Sequence, residues 1–192
     1  MDATIAKIAK LRRQPSFTRS AAEELGVSGE ILAYYVRQGI LHRIGPGIFC
    51  DPSTVLETEF KWHDLIRIAF SIENGVICQL SALDIHGLTQ EIPREHWIAI
   101  PHQQRAPRVP NTKFVRYRNH ELGRSTFRCG EFEIAIYDKE RTVLDAFRTL
   151  DKEIAIKALQ SLAAGGIDYA KMKAYRDALG INIDPYILAV TT

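Results

Sequence analysis

Phe17-Thr18-Arg19-Ser20-Ala21-Ala22-Glu23-Glu24-Leu25-Gly26-Val27-Ser28, with Gly29 to Gln38 behind it, is the stretch on which the fold turns. Its first half reads as a helix starting near Thr18 and stopping at Gly26. Thr18 can cap free backbone N–H groups, Ser20 with Glu23 is a competing cap, and Phe17 can pack back on Ala22. Gly26 tolerates the left-handed backbone that ends a helix. Val27 anchors the turn. Ser28 then caps a second helix that closes at Gly39. In it, Ile31, Leu32, Tyr35 and Val36 recur at three- and four-residue steps, the spacing of a buried face. Gly29, Glu30, Tyr34, Arg37 and Gln38 are left outside.

Working outward, an earlier helical pattern spans Ile5 to Arg13. On the other side lie His42-Arg43-Ile44-Gly45-Pro46-Gly47-Ile48-Phe49-Cys50, two short apolar stretches around a tight reversal. A helix, a helix-turn-helix and a hairpin predict a winged helix-turn-helix over residues 1–52. That arrangement sets one helix in the major groove and a wing on the DNA backbone. The predicted duplex contacts are Thr18, Arg19, Ser28, Tyr34, Arg37, Gln38, His42 and Arg43. Ser28 would hold a phosphate, and Arg43 would reach the adjacent backbone or the minor groove. Glu30 is repelled by phosphate, or selects a cytosine amino group. The competing reading is a winged helix used only for protein contacts.

Composition sets limits. The chain has 192 residues, 46% apolar and 25% charged, which are ordinary soluble values with room for one or two cores. No run approaches about 18 uncharged apolar residues, so no membrane span is expected, and the basic N-terminus lacks the apolar run of a secretory signal. Cys50, Cys78 and Cys129 are widely spaced, as expected of free, mostly buried thiols in the reducing cytoplasm. The histidines have no zinc spacing, and neither metal nor cofactor is expected. The formal net charge is only +2, but Arg105, Arg108, Lys113, Arg116, Arg118, Arg124 and Arg128 enclose a single acid, Glu121. They predict a second basic surface, with a charged solvent face, DNA phosphates and an acidic partner as competing readings.

Residues 53–192 read as a second, mixed α+β domain ending in helices. Thr54 to Ser71 is a predicted helix, Val76 to Cys78 a short strand or helix start, and Leu80 to Leu88 a short helix closed at Gly87. Strands are predicted over His96–Pro101 and Lys113–Arg118, and a hairpin over Phe127–Cys129 and Phe132–Tyr137 around Gly130-Glu131. A helix capped at Asp138 or its neighbour follows, then helices over Glu153–Ala163 and Asp168–Leu179 separated by Gly165-Gly166. These last two close the domain or pack on a partner.

Four motifs in order carry a family resemblance. They are the hairpin Arg43-Ile44-Gly45-Pro46-Gly47-Ile48-Phe49, the segment Gly75 to Leu88, the strand ending Ile100-Pro101, and Tyr137 to Phe147. Together they resemble the AbiEi family of antitoxins and transcriptional regulators over roughly residues 5–150. The resemblance implies a winged helix coupled to an α+β domain, repression of the protein's own operon through inverted repeats in double-stranded DNA, and neutralisation of a nucleotidyltransferase-like toxin. The C-terminal region is shorter than in some relatives.

Two constellations invite catalytic readings. Ser81, Asp84 and His86 lie close in sequence, but on a helix Asp84 and His86 do not face each other. Asp138, Glu140 and Asp145 suggest a nuclease-like metal site, against which stands their use as helix-start acids and as a partner for Arg141 at i,i+4. No enzyme is expected. The alternatives are a ligand-responsive regulator without a toxin and a metal-dependent DNA-processing enzyme.

Overall fold

A computed structural model describes residues 2–191, which are mixed α+β, with nine α-helices and two sheets among them. The chain divides into two compact units. The first takes the chain up to Gly75 with Ala106–Pro110 and Arg128–Ile134; the second takes Val76–Arg105, Asn111–Phe127 and the chain from Ala135 onward.

The first unit contains α1 (Asp2–Arg12), β1 (Phe17–Thr18), α2 (Arg19–Glu24), α3 (Gly29–Arg37), β2 (His42–Gly45), β3 (Ile48–Cys50) and α4 (His63–Ser71). Its three strands lie in the order β1-β3-β2, all antiparallel. Phe17 is therefore a strand residue facing Phe49, with the two rings stacked 5.9 Å apart, rather than only a staple on Ala22. A two-residue strand is too short to leave any alternation in sequence. Around this ring pair pack Ile8, Leu11, Ala22, Val27, Leu32 and Leu41. Burying a side chain such as Leu32 contributes about 1.5–3 kcal/mol.

The helix expected from Thr54 begins only at His63, after a 3-10 turn over Phe60–Trp62. Asp51 is the reason for the delay: its Oδ1 accepts from the Ser53 backbone N–H (2.8 Å) and hydroxyl (2.6 Å), which turns the chain. The Arg12 guanidinium meets the other Asp51 oxygen at 2.6 Å, and Thr54 donates to the Arg12 carbonyl at 2.7 Å. The extended stretch then buries Leu56 and leaves Val55 outside.

The second unit contains β4 (Val76–Ile77), α5 (Gln79–Ile85), β5 (His96–Pro101), β6 (Thr112–Tyr117), most of β7 (Arg124–Cys129), half of β8 (Phe132–Tyr137), and the helices α6 (Lys139–Thr149), α7 (Lys152–Gly165), α8 (Tyr169–Leu179) and α9 (Asp184–Thr191). The five-stranded sheet has the order β6-β5-β4-β8-β7; β5 runs parallel to β6, β4 parallel to β8, and β4 antiparallel to β5. The helices share a core of Leu83, Leu88, Val143, Leu144, Leu159 and Met172 with their neighbours. Two helices were expected after α6; α9 is a third, opened by Asp184-Pro185 and seated behind the buried Ile183. The three cysteines are free and buried, and no helix among the described residues is long and apolar enough to cross a membrane.

Candidate nucleic-acid interface

Two capped helices and a glycine build the turn between α2 and α3. Thr18, not Ser20, is the α2 cap, accepting from the Ala21 N–H at 3.2 Å. Gly26 follows at φ +75°, where a side chain is strained. Val27 is fully buried, and Ser28 caps α3 by accepting from the Ile31 N–H at 3.4 Å. These caps fix the α3 axis, and its apolar stripe fixes its rotation. Leu32 is buried with Ile31, Tyr35 and Val36 packed around it. The opposite stripe, Glu30, Ala33, Tyr34, Arg37 and Gln38, is exposed. Tyr34 stands 51% exposed, its ring edge-on to Tyr35 at 5.6 Å.

Ala33 was missing from the sequence reading of this stripe. It lies three residues after Glu30 and four before Arg37, so helical spacing alone places it at the centre. A small side chain there permits close approach to a partner surface. An open cleft of about 730 Å³ runs beside it, lined by Arg19, Glu23, Gly26, Ser28, Gly29 and Glu30 among others.

Arg19 is less available than its exposure suggests. Its Nε lies 2.6 Å from Glu23 Oε1, one turn along α2. Its guanidinium also rests over Gly29, where any Cβ would come within 3.0 Å of Arg19 Nη2. The hairpin is stitched to the same helix: the Arg19 backbone N–H donates to the Gly47 carbonyl at 2.7 Å, and Gly47 makes the reversal at φ +72°. Arg43 is exposed, and its Nε donates to the Gly45 carbonyl at 3.3 Å; His42 is exposed beside it.

The seven-residue basic run is divided between the two outermost strands of the five-stranded sheet and the loop before β6. Lys113 and Arg116 lie on β6, with Arg118 just beyond it, while Arg124 and Arg128 lie on β7. These strands are the two outermost of the sheet, so a connection of six residues, 118–123, separates charges that are neighbours only in sequence. Arg105 belongs to the second unit and Arg108 to the first, and both are exposed in loops. Three of the seven are engaged: Arg124 with Glu121 at 3.3 Å, Arg128 with Glu133 at 3.2 Å, and Lys113 over the Trp97 ring at 4.1 Å.

The residues behind the catalytic readings have other partners. Ser81 Oγ accepts from the Trp97 N–H at 2.9 Å, and His86 Nε2 lies 2.7 Å from the Tyr137 carbonyl oxygen. Asp138 caps α6 and accepts from the Tyr175 hydroxyl; Glu140 accepts from the Asp168 N–H; Asp145 accepts from Arg141 and Arg148. Among the described residues, no group of three or more His, Cys, Asp or Glu is placed to hold a metal ion.

No family model and no curated protein sequence matches this chain.

Proposed function

We propose that this chain is a sequence-specific DNA-binding transcriptional repressor, the autoregulating antitoxin of an AbiE-like toxin–antitoxin pair, acting in the cytoplasm. One observation carries the reading: α3 is locked into the core by Leu32 and offers Tyr34, Arg37 and Gln38 on its free face. The element order α1-β1-α2-α3-β2-β3 around a β1-β3-β2 sheet supports a winged helix over residues 1–52. The four AbiEi-like motifs support the antitoxin role and the inverted-repeat operator.

In this reading α3 enters the major groove. Tyr34, Arg37 and Gln38 reach base edges, and Ser28 and Thr18 meet phosphates at helix N-termini. His42 and Arg43 bring the hairpin onto the flanking backbone. Repression follows from occupying the promoter.

Selection of bound fragments from random duplex DNA tests the reading. An enriched motif is expected, as two half-sites roughly 34–36 Å apart or a multiple of that. No enrichment at physiological salt overturns it. Co-expression with a nucleotidyltransferase-like toxin from the same operon tests the antitoxin half, with restored growth expected.

A further inference from the structure

A second cavity, wholly within the second unit, has chemistry that the proposed DNA interface does not use. It measures about 410 Å³ and is lined by His102, Arg116, Asn119, Arg118, Arg141 and Arg148, with Tyr117 and Leu179 as its apolar surface. Four arginines line it and no acidic residue does. The acid bonded to them is Asp145, buried and shared between Arg141 Nε (2.8 Å) and Arg148 Nη1 (3.1 Å). Arg116 and Arg118 are exposed and pair with no acid among the described residues.

Arg141 supplies the second, independent observation. Its side chain is fully buried, held between the Tyr117 and Tyr137 rings at 5.0 and 4.6 Å. Nη1 donates to the Asn119 and Leu122 carbonyls at 3.0 and 2.7 Å, and Nε is spent on Asp145. Nη2 has no acceptor among the described residues. Folded proteins satisfy most buried donors, so the unmatched Nη2 leaves part of the Arg141 charge uncompensated behind three further arginines. Guanidinium forks match the oxygen geometry of phosphate, and the excess of positive charge selects a multiply charged anion. The cavity volume lies within the roughly 300–1,000 Å³ of small-molecule sites.

We infer that this cavity binds a small phosphorylated ligand, its phosphoryl oxygens received by Arg116, Arg118 and Arg148, with the buried Arg141 charge behind them. Calorimetric titration of the full chain with pyrophosphate and with ADP, at about 150 mM salt, tests it. Saturable binding is expected with one site per chain. The double variant Arg116→Gln/Arg118→Gln, altered only at exposed side chains, is expected to bind at least tenfold more weakly. Arg124→Gln, on the opposite sheet edge, is expected to bind as the parent does. Equal affinity for the two probes assigns recognition to the phosphoryl groups alone, and tighter ADP binding assigns a nucleotide; both support the site. Absence of saturable binding by either probe at millimolar concentration overturns it, as does equal weakening by Arg124→Gln. A double variant that binds both probes normally but loses duplex DNA also overturns it, and makes the patch a DNA-backbone contact. Pyrophosphate and ADP carry no duplex, so the titrations with them are independent of whether α3 reads an operator.

Discussion

Arg141 Nε donates to Asp145 Oδ2 at 2.8 Å, one turn apart on α6, with both side chains shut off from water. Burial pushes the Asp145 carboxyl above its ordinary pKa, while Arg141 and then Arg148 pull it down. Gly123 closes over this pair at φ +73°, and any Cβ there would come within 2.5 Å of Arg141 Cβ. The guanidinium thereby ties α6 to the 118–123 connection across the sheet.

Removing one partner of such a pair strands the other charge in a dry site. Asp145→Ala is therefore expected to cost about 3–5 kcal/mol, read as a lower urea midpoint at neutral pH. Asp145→Asn, which keeps an acceptor for Arg141, is expected to lose less. A loss below about 1 kcal/mol for the alanine variant is the size of an ordinary point substitution and refutes a structural role for the pair.

Arg37 tests the duplex reading without touching the fold. It is exposed at the end of α3. If it reads a base edge, Arg37→Ala weakens operator binding by about 1–3 kcal/mol and relaxes sequence preference at one position. Gel-shift titration on the selected operator measures this, with circular dichroism showing an unchanged fold. Unaltered affinity removes Arg37 from the interface.

What was legible in sequence was local. Thr18 and Ser28 announce their helices by capping chemistry, Gly26 and Gly39 close them in the left-handed region, and His96–Pro101 stands out as a strand. Arg141 with Asp145 is an i,i+4 pair on a helix, visible from spacing. What stayed hidden was nonlocal. No periodicity reveals that Phe17 pairs with Phe49, or that β6 and β7 lie at opposite edges of one sheet. The basic run therefore looked like one surface, while the cavity around Arg141 drew on β6, the connection after it and two helices. The missed α9 had a local signal in Asp184-Pro185, but its apolar run reads equally as a strand.

His86 sets a pH dependence. Burial lowers its pKa below the ordinary 6.5, and Lys139 adds to that, outweighing the Tyr137 carbonyl, Asp138 and Glu140, which raise it. The unfolded chain therefore binds a proton at a pH where the folded chain does not, and stability rises with pH across that window. Its contribution is complete above the unfolded value of about 6.5 and is lost as pH falls from there through the folded value. His86→Gln, with an amide that can still donate to the Tyr137 carbonyl, is expected to flatten the pH dependence of urea unfolding below about 6.5. Parallel curves for parent and variant exclude His86 as the source.

Glu23 restrains the interface electrostatically. It holds Arg19 at 2.6 Å beside the cleft at the start of α3, and its own charge repels phosphate. The pair is exposed on both sides, so breaking it costs little stability. Glu23→Gln removes the repulsion and frees Arg19 for the backbone. Operator affinity is expected to rise, and the slope of log K against log salt to steepen by about 0.9, the counterions released by one more phosphate contact. Adding Arg19→Gln to that variant is expected to return the slope to its parental value, because the gain belongs to Arg19 and not to the lost acid. If the slope stays steep in the double variant, the extra contact comes from another cation. If Glu23→Gln changes neither affinity nor slope, this end of α3 does not approach the duplex.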